Sequence, residues 1–94
     1  MDPLIEKNRH KILEIAARYH LTDVRVFGSM ARGDAGEESD VDLLVLPLPG
    51  ASLLDLSGLA LEAEDLLGRR VDVVSERALH PLLRERVLSE ARPL

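Results

Sequence analysis

Val24-Arg25-Val26-Phe27-Gly28-Ser29 and, past a polar stretch, Ser39-Asp40-Val41-Asp42-Leu43-Leu44-Val45 decide the fold of this chain. Each holds a short apolar run of strand character; the first ends on Gly-Ser and the second begins on two carboxylates. Residues two apart on a strand point to one face, so Asp40 and Asp42 are expected side by side, about 7 Å apart along the chain. Like charges that close raise each other's pKa unless something positive lies between them. Mg²⁺ answers that need, being a hard cation held by one or two carboxylates together with phosphate oxygens. Gly28-Ser29 offers the phosphates a seat. If the strand ends at Phe27 and a short helical turn opens there, free backbone N–H groups and the positive end of the turn face outward. Gly28 lets a phosphate approach the main chain with no Cβ in the way, and Ser29 adds a hydroxyl and a capping group. Arg32, one turn on, is expected either on the same phosphates or bracing the loop.

Outward from this centre, Asp2-Pro3 reads as an N-cap with proline at the first helical position, and Ile5, Ile12, Ile15, Ala16 and Tyr19 recur at helical spacing up to about His20. Leu21-Thr22-Asp23 is expected to link this helix to strand one, Val24 to Phe27. Gly33 to Ser39 is a polar loop, and strand two starts at Asp40 and stops at Pro47, Pro49 and Gly50. Ser52 and Asp55 form a capping-box pattern ahead of Leu56, Leu59, Ala60, Ala63, Leu66 and Leu67, with Gly68 as the C-cap. Strand three is Arg70 to Val74. A last helix from about Pro81 to Ala91 places Leu83, Val87, Leu88 and Ala91 on one face. The order predicts a two-layer α/β fold with a small three-stranded mixed sheet and helices packed on one side.

Ninety-four residues are expected to form one domain, 1–94, with an aliphatic core, because Tyr19 and Phe27 are the only aromatic residues. A formal charge of −5 disfavours a protein that grips nucleic acid along its phosphates. Cysteine is absent, which removes disulfides and thiolate metal sites. No stretch is long and apolar enough for a membrane helix, and the start of the chain lacks the pattern of a signal peptide, so a cytoplasmic protein is expected. His10, His20 and His80 show no metal-ligand spacing. Arg69 and Arg70 read as a solvated pair at a strand entry.

The run Gly28-Ser29-Met30-Ala31-Arg32-Gly33 followed by Ser39-Asp40-Val41-Asp42-Leu43-Leu44-Val45 resembles the signature of the DNA polymerase beta-like nucleotidyltransferases. The short chain resembles in particular their minimal nucleotidyltransferase (MNT) group, the antitoxins paired with HEPN ribonuclease toxins, and does so from about Val24 to the final helix. That resemblance implies a third carboxylate on a later strand, and Asp72 in Arg70-Val71-Asp72-Val73-Val74 stands in the matching context. It further implies a nucleotidyltransferase in which Asp40, Asp42 and Asp72 hold two Mg²⁺ ions and Gly28, Ser29 and Arg32 hold the nucleotide. AMP from ATP would pass to a hydroxyl, a tyrosine by family resemblance, of a HEPN-type ribonuclease toxin in a hetero-oligomer. Two rivals stand beside it: an antitoxin acting by binding alone, which has no need of three converging carboxylates, and an adenylyltransferase for a small molecule such as an aminoglycoside, completed by a partner chain.

Overall fold

A computed structural model describes residues 1–94. The elements run α1 (Pro3–Arg18), β1 (Leu21–Phe27), α2 (Ser29–Arg32), β2 (Val41–Pro47), α3 (Leu53–Leu67), β3 (Val71–Ser75), a 3-10 turn (Glu76–Ala78), α4 (Pro81–Glu90) and β4 (Arg92–Pro93). The sheet has four strands, ordered β3-β2-β1-β4. The expected three-stranded sheet therefore gains a member. β4 escapes the sequence because it is two residues long and one of them is Pro93, which no central strand accepts. It survives at an edge, antiparallel to β1 with Arg25 opposite Pro93 and Val26 opposite Arg92, and Leu94 N–H donates to the carbonyl of Val24 at 2.9 Å.

Strand one also begins earlier than its apolar run suggests. Leu21-Thr22-Asp23 is not a linker but the first part of β1. An irregularity between Thr22 and Arg25 breaks the alternation, and Asp23 has φ 48° there, with His20 at φ 59° just before the strand. A polar stretch with a bulge gives no period-two signal, so it reads as a loop. β1 and β2 are antiparallel and β2 and β3 parallel; α3 is the crossover that a parallel pair requires.

The helix ends obey their local signals. Asp2 accepts the N–H of Leu4 at 2.8 Å and caps α1. The capping box at Ser52 forms in both directions, with Ser52 N–H donating to Asp55 Oδ2 at 2.8 Å and Leu54 N–H to Ser52 Oγ at 3.2 Å. Gly68 ends α3 in the left-handed region, φ 66°, where glycine carries no Cβ penalty.

One aliphatic core joins the helices to the sheet: Ile5, Ile12 and Ala16 of α1 and Leu59, Ala63 and Leu67 of α3 pack on Val26, Val41, Leu43, Val45 and Val71. Burying each of the valine, leucine and isoleucine side chains among them contributes about 1.5–3 kcal/mol against leaving it in water. Alternation sends Arg25, Phe27, Asp42, Leu44, Asp72 and Val74 to the opposite face, where Leu44 is buried and the other five keep partial exposure; the molecule measures 35 × 31 × 18 Å, thin in one direction. α4 departs from expectation. It buries no residue, and Leu82 and Leu83 are 85% and 52% exposed, so its apolar stripe is only partly used.

Candidate functional site

The parallel register of β2 and β3 sets Asp42 directly opposite Asp72, and the antiparallel register of β1 sets Phe27 opposite Asp42 on the other side. One row across the sheet thus runs Phe27, Asp42, Asp72, and the chain leaves β1 from the end of that row into Gly28. The expectation that Asp40 and Asp42 share a strand face is not met in that form: β2 starts at Val41, and Asp40 lies in the preceding loop, exposed. The two carboxylates fixed by strand geometry are Asp42 and Asp72.

Asp42 feels its neighbours. Its carboxyl is raised above the ordinary carboxylate range, first by partial burial, then by the charges of Asp72 and Asp40, with Arg32 opposing. The order of causes matters, because desolvation and two like charges act in the same direction. The three acids do not close into a ready cage around one point, but the charges of Asp72 and Asp40 both reach Asp42. An oxygen-only donor set of this kind, held by strand ends and an adjoining loop, fits a hard divalent cation and not a thiolate- or imidazole-preferring one.

The Gly-Ser turn lies against this row. Gly28 has φ 70° and ψ −152°, a region essentially reserved for glycine, and a Cβ built on it would stand 2.6 Å from Asp42 Oδ2. Backbone and space both demand glycine. α2 follows as a single turn: Ala31 and Arg32 N–H donate to the Gly28 carbonyl, each at 3.1 Å, so the N–H groups of Ser29 and Met30 precede the first intrahelical bond. Ser29 was expected to cap this turn, yet the cap position belongs to Gly28 and Ser29 is the first helical residue. Met30 and Ala31 are buried and anchor the turn in the core, and the Met30 carbonyl accepts the N–H of Asp2 at 2.9 Å.

Arg32 is exposed and engaged on both sides. Its Nε lies 3.1 Å from Asp34 Oδ2, and its Nη1 pairs with Glu90 near the end of α4. Of the two expected roles, phosphate contact and loop bracing, the structure displays the brace. Arg70 approaches Asp72 only to 3.9 Å, with most of its side chain in solvent. Arg69 is a residue sequence reasoning missed. It does not sit solvated at the strand entry; its Nη1 donates to the carbonyls of Gly36 at 3.0 Å and Ser39 at 3.2 Å. An arginine pair after a glycine C-cap carries no signal of which of the two will reach a loop, or which loop.

A mixed sheet with helices on one side, a glycine turn at the end of the first strand, and carboxylates on the two strands beside it define a nucleotidyltransferase. Residues 9–94 match the family described as the nucleotidyltransferase domain, and the chain belongs to it. Among its relatives, the protein adenylyltransferase MntA of Thermococcus cleftensis is 42% identical over 77 residues, 82% of this chain and 78% of the relative. A Methanocaldococcus jannaschii chain, MJ0435, assigned as a protein adenylyltransferase, is 42% identical over 87 residues, 93% of this chain and 94% of its own. Among solved structures, one assigned as a minimal nucleotidyltransferase superposes with TM-score 0.87 at 54% identity, covering 100% of this chain and 97% of the other. A toxin-antitoxin crystal structure with AMP-PNP gives TM-score 0.79 at 25% identity, covering 92% and 71%.

Proposed function

We propose that this chain, as one minimal nucleotidyltransferase domain, transfers AMP from ATP to a hydroxyl of a partner HEPN ribonuclease toxin, a tyrosine in our reading, and so acts as its antitoxin in the cytoplasm. The observation that carries the proposal is the contact between the two halves of the site: Gly28 lies against Asp42, and Asp42 lies opposite Asp72. A turn able to accept phosphates and a set of acids able to take a divalent ion are therefore neighbours. Relatives named protein adenylyltransferase and a toxin-antitoxin neighbour crystallised with a nucleotide analogue support the same reaction.

In this mechanism Asp40, Asp42 and Asp72 would hold Mg²⁺, which supplies charge neutralisation to the phosphates and to the entering and leaving oxygens. The N–H groups of Ser29 and Met30 and the Ser29 hydroxyl bind phosphate oxygens, since a turn start directs unpaired donors outward. Arg32 exchanges Asp34 and Glu90 for the triphosphate, a charge-assisted bond of a guanidinium to phosphate replacing two exposed ion pairs worth little in water. Asp72, whose side chain is about half exposed, takes or relays the proton of the acceptor hydroxyl. That oxygen bonds to the α-phosphorus, the bond from phosphorus to the bridging oxygen breaks, and pyrophosphate leaves. The protein's share is position and preorganised charge.

The test is to incubate the purified chain and its candidate partner with each nucleoside triphosphate and Mg²⁺ and weigh the partner. A mass gain of one or more AMP groups with ATP, mapping to tyrosine and lost in Asp42→Asn, is expected. An unmodified partner that is nonetheless silenced in the complex would leave binding alone as the mode of action.

A further inference from the structure

Asp42 and Asp72 are held by strand register, but Asp40 is not, and something other than the sheet has to fix it. Its loop is closed from within: Ser39 N–H donates to the Gly36 carbonyl at 3.2 Å, and Gly36 N–H donates to Ser39 Oγ at 2.8 Å. It is closed again from outside. The half-buried Arg69 spans from the turn before β3 and gives one guanidinium nitrogen to both the Gly36 and Ser39 carbonyls. On the other flank of Asp40, Val41 N–H donates to the Arg70 carbonyl at 2.9 Å. The backbone on either side of Asp40 is thus tied to two consecutive residues, Arg69 and Arg70.

We infer that Arg69 is a positioning residue for the metal site, clasping the Gly36–Ser39 turn so that Asp40 is presented toward Asp42 and Asp72; this rests on the reading that Asp40 is a metal ligand. Arginine suits the task better than lysine, because the two N–H donors of Nη1 are fixed in the guanidinium plane, whereas an ammonium could reach both carbonyls only from a flexible stem with freely turning donors. The glycines at 33 and 36 leave this loop little stiffness of its own. Without the clasp the loop samples more conformations, and binding a cation has to order it.

Three readouts test this on Arg69→Ala, Arg69→Lys and Asp40→Asn. In metal-free protein, Arg69→Ala should speed amide hydrogen exchange across residues 34–40 while the core of β2 keeps its protection. Mn²⁺ titration of the same protein should show affinity weakened by about tenfold or more, the usual scale for losing a group that orients a ligand, with Arg69→Lys recovering part of it. In partner labelling, Arg69→Ala should need more Mg²⁺ for half-maximal transfer yet approach the wild-type rate when Mg²⁺ saturates. A merely structural arginine would instead lower the melting temperature and depress transfer equally at every Mg²⁺ concentration, and that result, or unchanged Mn²⁺ affinity, overturns the proposal. Should Arg69→Ala fail to fold, Arg69→Lys carries the same comparison at smaller amplitude. Wild-type Mn²⁺ affinity in Asp40→Asn would remove Asp40 as a ligand and the proposal with it, while faster exchange in Arg69→Ala would still mark the clasp as real.

Discussion

Asp42 carries the sharpest consequences of any single residue. Its folded carboxyl titrates above its unfolded value, so the folded state binds the extra proton between the two. Stability from this group is present below the ordinary carboxylate range and is lost as pH rises through Asp42's raised value. Metal-free Asp42→Asn should therefore melt higher than wild type at neutral pH, and the gap should close on acidification; thermal unfolding across pH reads both, and a gap independent of pH would refute the account. Gly28 is the second such residue. Gly28→Ala meets a forbidden backbone region and the Asp42 carboxylate together, so a loss of about 1–3 kcal/mol is expected for the strain alone, measured by denaturant unfolding. What was legible in the sequence is that Gly28, Asp42 and Asp72 would be neighbours: glycine-serine after a strand, or aspartates around a valine, is commonplace alone, and it is their combination across three strand ends that gave the signal. The position of Asp40 off the strand was not legible, since a strand boundary moves by a residue without changing the pattern.

At the scale of elements, α1 and α3 are locked by a contact that neither helix's periodicity announces. Gly58 lies mid-α3, where glycine costs roughly 1 kcal/mol relative to alanine, and it is there because the Tyr19 ring occupies its side-chain space: a Cβ would clash with Tyr19 Cε1. The Tyr19 hydroxyl donates to Glu62, which also pairs with Arg18. Gly58→Ala should destabilise, against its helix propensity, by about 1–3 kcal/mol of overpacking, and Tyr19→Leu in the same chain should restore much of it. Additive losses in that double-mutant cycle would show that the ring and the glycine do not meet. α1 and α3 were readable because capping residues and aliphatic spacing agree. β4 and the bulged start of β1 were not, because a two-residue strand ending in proline and a strand broken by a left-handed aspartate have no period to detect.

For the whole molecule, the site is a place where the fold gives up stability. A protein with charge −5 that sets two acids in one row of the sheet and a third in the loop just before it should gain from any cation that binds there. Mg²⁺ with ATP is expected to raise the wild-type melting temperature, by the mass action of a ligand that prefers the folded state, and to raise that of Asp42→Asn much less; equal shifts in both would place the ligand elsewhere. The parallel pairing of β2 with β3 has a further, kinetic meaning. The β1–β2 hairpin closes over a short stretch of chain, whereas Asp42 meets Asp72 only after α3 has formed and crossed over, a pairing of larger sequence separation and so a later and more costly event. The hairpin can stand with the phosphate turn complete while β3 is still undocked. Transfer competence is therefore expected to form after the hairpin in refolding and to be lost before it in partial opening, when α3 and β3 leave as one unit. Mild urea should abolish transfer while amides of the β1–β2 hairpin remain protected from exchange, which makes activity a more sensitive thermometer of this chain's integrity than its secondary structure.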